Sequence, residues 1–240
     1  VAAMVMSAVG GGATVGFQTR PADRRVTRLA ISAPGPSALS VAGRDMAITP
    51  DGTQVAYVGN SGRQLFVRAF NQTDSVPLAG ADFPSGVFMK ADGQWVGFVG
   101  DFVLRKVAIN GGAVQNLLNL GARSLLGATW SEGGTIIFAT DRTSTGLERV
   151  SEDGGPTTVL TRPNRERGEQ YHAWPAFLPG SQAVLFTILH AGGGIDSAEI
   201  AVLDRGKGVP EAEREHIFEP FRRLGSELTR EAPGVGLGLA

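Results

Sequence analysis

ITPDGTQVAYVG, residues Ile48–Gly59, decides how this chain is read. A polar cluster holding Pro50 and Gly52 leads into an apolar run that stops on a small residue. Asp-Gly between two strand-like runs is the strongest short hairpin signal, and a two-residue turn of type I′ needs positive φ at both central positions. The plan recurs as MKADGQWVGFVG (Met89–Gly100), WSEGGTIIFAT (Trp130–Thr140) and FLPGSQAVLFTI (Phe177–Ile188). The turn glycines read from this pattern are Gly52, Gly93, Gly133 and Gly180, spaced 41, 40 and 47 apart. Further strands and turns follow the first three hairpins, as in QLFVRAFNQ (Gln64–Gln72), VLRKVAINGG (Val103–Gly112) and LERVSEDGG (Leu147–Gly155). A four-stranded unit repeating at this period predicts β-propeller blades. Helical periodicity is essentially absent before residue 208.

Composition bounds the rest. The 240 residues suffice for one large or two small domains. With no Cys, disulfides, thiolate metal sites and a Cys nucleophile are excluded. A net charge of −1 gives no electrostatic case for nucleic-acid binding. Charge is unevenly spread: 13 of the 37 residues from Asp204 to Ala240 are charged, against 32 of the preceding 203. That change supports a boundary near Asp204. At the other end, Val1–Phe17 carries no charge and precedes Arg20, Arg24, Arg25 and Arg28. Residues 1–19 are expected to be the tail of a transmembrane or signal segment, with a Gly-rich leader as the alternative. Membrane attachment through residues 1–17 follows from the first reading.

The repeats also carry a resemblance. PDGxxVAYV, ADGxWVGF, RVSxxGG and WPxFLPG resemble the TolB-like, WD40-like propeller of bacterial receptor kinases, and RGEQYHAWPAFLPGSQAVLFTI is particularly close to it. The resemblance covers roughly residues 20 to 203. It implies a propeller, usually six-bladed, that senses a small ligand or contacts a protein partner outside the membrane. About four blades are legible here, and an open arc would leave strand edges unpaired. No catalytic chemistry is legible in this region. His172, beside Tyr171 and Trp174, is expected to be a packed or capping side chain, and His190 shares no ligand spacing with it. Asp51, Asp92 and Asp153 sit in turns, where a carboxylate can bond its own backbone. Trp95, Trp130 and Trp174 fall at blade core positions. NLLNLGARS (Asn116–Ser124) superficially echoes the Asn-bearing helix of histidine kinases but occupies a blade position.

From Ala198 the pattern changes to a strand, a Gly-rich turn, a helix and a second Gly-rich turn. DRGKG (Asp204–Gly208), IFEPF (Ile217–Phe221) and GVGLGLA (Gly234–Ala240) stand in that order, with 30 residues from Asp204 to Gly234. PEAEREHIFEPF begins with Pro210, and Glu211 and Glu213 fall in its first turn, where the helix dipole favours acids. DxGxG, the F box and GxGLGLA resemble the ATP-binding domain of sensor histidine kinases and their GHKL relatives, across residues 198 to 240. The resemblance implies ATP and Mg2+ as cofactors. In the family, the Asp204 position accepts a hydrogen bond from the adenine amino group, and Gly206 and Gly208 let backbone approach the nucleotide. Phe218 and Phe221 match the F box that anchors a mobile lid. Gly234, Gly236 and Gly238 match the second glycine box, whose amides meet phosphate oxygens. Three family features are not found. No SHELRTPL-like phospho-accepting motif occurs, since His216 lies before the F box. The magnesium-binding Asn helix, due some 30 residues before Asp204, is replaced by the propeller-like run Ala176–Gly194. The helix and strands expected after GLGLA are also not seen.

The expected fold class is therefore mainly β: a partial β-propeller of about four blades over 20–203, then a short α/β fragment of a GHKL ATPase domain over 204–240. AEIAVLD (Ala198–Asp204) would serve either parent, so the two patterns meet on one shared strand. Three functional readings remain open. The chain is a signalling-type fusion with a histidine-kinase-like end that is not catalytically competent alone. Otherwise it is a non-catalytic extracytoplasmic interaction propeller with a vestigial tail, or a chimera with no function as a unit. Membrane association is expected, on an unresolved side: the propeller implies outside, the ATP-binding end inside.

Overall fold

The structure, a computed structural model, describes residues 35–40 and 45–204. These residues form four antiparallel sheets, each a simple meander in sequence order. The first contains β1 (Met46–Ile48), β2 (Gln54–Gly59), β3 (Gln64–Ala69) and β4 (Val76–Asp82). The second contains β5 (Ser85–Met89), β6 (Trp95–Gly100), β7 (Val103–Ala108) and β8 (Gln115–Asn119). The third contains β9 (Leu125–Trp130), β10 (Thr135–Thr140), β11 (Leu147–Ser151) and β12 (Thr158–Val159). The fourth has three strands among the described residues: β13 (Glu169–Phe177), β14 (Val184–His190) and β15 (Glu199–Leu203). The four blades of a partial propeller are present, and NLLNLGARS enters β8 as strand, not helix.

Sheet stacking explains the sequence pattern. In β2, β6 and β10 nearly every residue is buried, on both faces. A strand covered on both faces reads as a continuous apolar run rather than an alternation. Three clusters fill the spaces between neighbouring sheets. Ala56, Val58 and Leu65 meet Val96, Phe98 and Val107. Phe88, Val99 and Leu104 meet Trp130, Ile136 and Phe138. Ile137, Ala139 and Leu147 meet Val184 and Phe186. Polar contacts join the second sheet to the third: Lys90 Nζ lies 2.9 Å from Glu152 and 3.2 Å from Asp92. The Trp130 indole N–H donates to the same Glu152 carboxylate at 3.0 Å. Glu152 holds the Lys90 ammonium above its ordinary range, against the opposing effect of burial.

The turns differ from the expected type I′. Gly52 N–H donates to the Thr49 carbonyl and Gly93 N–H to the Lys90 carbonyl, each at 2.8 Å. Only the glycines take positive φ, +69° and +71°; Asp51 and Asp92 do not. Pro50 fixes a negative φ at the first central position of its turn, which suits a type I turn and forbids the mirror form. Asp51 Oδ1 instead accepts the Thr53 N–H at 3.0 Å, and Asp92 Oδ1 the Gln94 N–H at 2.8 Å. In the third repeat the left-handed glycine is Gly134, one place beyond Gly133. A two-residue turn with both φ positive does occur, at Asp101–Phe102 (50° and 59°), where Gly100 pairs with Val103. Neither residue is a Gly or Asn, the residues such a turn most favours.

Gly97 shows how tightly the blades are filled. It pairs with Phe88 across β5 and β6, and a Cβ built on it would lie 2.2 Å from the Phe88 ring. Gly97→Ala is expected to displace Phe88 and destabilise the fold by about 1–3 kcal/mol, as overpacked cores do. The measurement is the urea midpoint of the variant against native protein; an unchanged midpoint would show that the ring has room to move.

Candidate functional site

Two places in the described residues bear on function. The first is the end of β15. Val184 pairs with Leu203, so Asp204 directly follows the last paired residue of the fourth sheet, and it is exposed. It borders a cavity of about 250 Å³ between the third and fourth sheets, walled by Ile137, Leu160, Phe177, Val184 and Leu203. The other seven expected nucleotide residues, Gly206, Gly208, Phe218, Phe221, Gly234, Gly236 and Gly238, lie outside the described residues, as does Val1–Phe17. Among the described residues no helix is long and apolar enough to cross a membrane. The interval Ala176–Gly194 contains no Asn and is occupied by the end of β13 and by β14. These residues do not fit a helix presenting a carboxamide to magnesium.

The second place was not anticipated. The first strands of successive sheets lie side by side, β1 beside β5, β5 beside β9 and β9 beside β13. Between these strands is a groove of about 790 Å³. Val87, Leu125, Phe102 and Trp174 supply apolar and aromatic wall, and Asp45, Asp101 and Arg123 supply charge. Two of the charges are compensated. Asp101 pairs with Arg105 at 3.5 Å. Arg123 pairs with Glu148 at 3.2 Å, and Glu148 also accepts the Thr145 hydroxyl. Asp45 is 7% exposed, and its carboxylate accepts one long hydrogen bond, from Gly86 N–H at 3.3 Å. Burial raises the Asp45 pKa, partly opposed by that bond. Gly86 fits against Leu125 because it lacks a side chain: a Cβ there would sit 2.8 Å from Leu125. Asp101, Phe102 and Trp174, three groove residues, have positive φ without being glycine. Of the three tryptophans, Trp130 is core as expected, whereas Trp174 faces this groove.

His172 proves to be a packing and hydrogen-bonding residue. The Leu147 N–H donates to Thr161 Oγ1 at 2.8 Å, leaving the hydroxyl proton for His172 Nδ1, 2.7 Å away. His172 Nε2 then carries its proton toward Glu169 Oε2 at 3.1 Å. Glu169 also accepts the Asn164 N–H at 2.6 Å. His190 lies elsewhere, 2.9 Å from Glu199. Burial would raise the Glu169 pKa, but the bonds from Asn164 and His172 outweigh it and hold the carboxyl below its usual range. A carboxylate with a lowered folded pKa contributes stability above its unfolded value, about 4.3, and loses it as pH falls through the folded value. Glu169→Gln is therefore expected to cost about 1–3 kcal/mol at neutral pH. The difference from native should close in acid, below pH ~4. Denaturant titrations of both proteins across that range test it, and a gap constant with pH would refute the assignment.

The comparisons with known proteins divide along the chain in the same way. Residues 178–240 match the family model described as "Histidine kinase-, DNA gyrase B-, and HSP90-like ATPase". The histidine-protein kinase/phosphatase MprB of Mycobacterium sp. (strain KMS) is 56% identical over 43 residues, 18% of this chain and 8% of that protein. The sensor-like histidine kinase SenX3 of Mycolicibacterium smegmatis is 40% identical over 65 residues, 27% of this chain and 16% of that protein. The chain thus spans only a small fraction of these kinases. Among solved structures, a putative TolB from Agrobacterium tumefaciens superposes with a TM-score of 0.54 at 17% identity, covering 70% of this chain and 65% of that one. TolB from Acinetobacter baumannii gives 0.52 at 18% identity, covering 69% and 41%. The described sheets accordingly have the fold of TolB-like β-propellers, and the C-terminal segment is similar to the ATPase domain of histidine kinases.

Proposed function

We propose that the chain is a signalling-type fusion, in which a TolB-like propeller for sensing or protein contact carries a histidine-kinase-type nucleotide-binding end. The carrying observation is the β14–β15 hairpin. It forms the second and third strands of the fourth blade, and it also lies inside the 178–240 ATPase match, ending on Asp204. The hairpin thus lies inside both patterns, and its second strand, β15, leads directly into Asp204, where the glycine-box pattern begins. In this reading Asp204 accepts the adenine amino group, Gly206 and Gly208 admit the nucleotide, Phe218 and Phe221 anchor a lid, and Gly234, Gly236 and Gly238 receive the phosphates. ATP, once bound, supplies the transferable phosphoryl group. The chain does not transfer that group unaided, because Ala176–Gly194 is blade strand where the magnesium-holding helix would stand.

The same observation favours a second reading, a non-catalytic extracytoplasmic propeller module with a vestigial tail. Membrane attachment through residues 1–17 belongs to both readings. Titration of a fluorescent ATP analogue in the presence of Mg2+ separates them. Under the fusion reading the native chain binds and Asp204→Asn binds about tenfold more weakly, the loss expected for a hydrogen bond to a charged acceptor. Equal and negligible binding by both would leave the propeller module.

A further inference from the structure

We propose that the groove between β1, β5, β9 and β13 is a binding site for a ligand bearing a primary ammonium group on an apolar arm, with the ammonium seated against Asp45. The groove lies in the size range of small-molecule sites, which are mostly apolar with a few placed polar groups.

The sign of the ligand follows from Asp45. A carboxylate removed from water is costly unless paired or hydrogen-bonded. Asp45 is more than nine-tenths buried, borders the groove, and accepts one bond at 3.3 Å through Oδ1. Among the described residues no cation pairs with it: Arg123, the one basic residue lining the groove, is committed to Glu148 and to the Leu120 carbonyl. A cation entering the groove would supply the missing partner, and an anion would meet repulsion. A divalent metal ion needs several oxygen ligands, and the described residues contain no group of three His, Asp or Glu side chains able to hold one. An ammonium requires one carboxylate and a few neutral acceptors, which Ser85 and Ser124 provide on the groove wall. Val87, Leu125, Phe102 and Trp174 offer the apolar arm a dry surface. The left-handed backbone at Asp101, Phe102 and Trp174 places strained residues around this groove, where strain often marks a ligand clamp.

The test is isothermal titration of the full chain with hexylamine, hexanol and hexanoate, and in a separate arm with a blocked Leu-Lys-Leu tripeptide. Saturable binding of hexylamine or of the tripeptide is expected, with hexanol and hexanoate about tenfold weaker or worse, as loss of a charge-assisted bond requires. The amine arm reports a free amine and the peptide arm a lysine side chain; binding in either supports the site. Asp45→Asn keeps the acceptor for Gly86 N–H and removes the charge, and should lower affinity about tenfold without lowering thermal stability. Ser124→Trp changes an exposed residue of the groove wall and should block entry while the fold is retained. Binding unchanged in both variants, equal binding of hexanol, or no binding of either ammonium probe would overturn the proposal. So would unfolding of Asp45→Asn combined with full binding by Ser124→Trp.

Discussion

Burial of both faces of the second strand in the first three sheets is the constraint on which this architecture depends. Val55 and Ala56, Val96 and Phe98, and Ile136 to Ala139 cannot all be covered by one sheet's own turns. Each sheet must stack on a neighbour, as in any repeat protein whose units cannot bury their apolar faces alone. The polar contacts follow from the stacking. Lys90, Glu152 and Trp130 meet because the second and third sheets are pressed together, and the buried ammonium is satisfied by carboxylates from both. Thr161, His172 and Glu169 play the corresponding part between the third and fourth sheets. Glycine at position 97 completes the fit, since Phe88 occupies the space a side chain would need.

Stacking also creates the groove. When sheets fan around an axis, their first strands converge at the centre while their outer strands diverge, leaving space between the inner strands. The residues around that space come from segments about one repeat apart: Asp45, Gly86, Leu125 and Trp174. Among the described residues no basic side chain pairs with Asp45, which accepts the Gly86 N–H at 3.3 Å.

The meeting of the two sequence patterns has a structural rationale. An antiparallel hairpin ending on Asp204 can be the middle of a blade, with Ala201 and Leu203 packed toward the third sheet. The outward residues Ile200 and Val202 remain exposed. The match to the ATPase family begins at Leu178, before this hairpin. The strand common to both patterns is β15, since β14 stands where the kinase pattern calls for a helix.

The number of blades, the place of each hairpin and the core role of Trp130 were legible in the sequence, because a short apolar run bounded by glycine is dictated locally. The packing of His172 was legible too, from its aromatic neighbours and lack of ligand spacing. The glycine boxes around Asp204 were equally local signals. The turn type differs from the expectation: Asp-Gly suggested a mirror turn, but Pro50 selects a type I turn with glycine alone in the left-handed region. Pairs of left-handed residues fall instead at Asn60–Ser61 and Asp101–Phe102, and neither pair holds a glycine. The groove and its buried Asp45 had no sequence signal, since proximity among residues about 40 positions apart arises only when the sheets assemble. Local chemistry in the chain determined the strands and the family likeness of each part; the fan of stacked sheets decided which distant side chains share a site, because only packing brings them together.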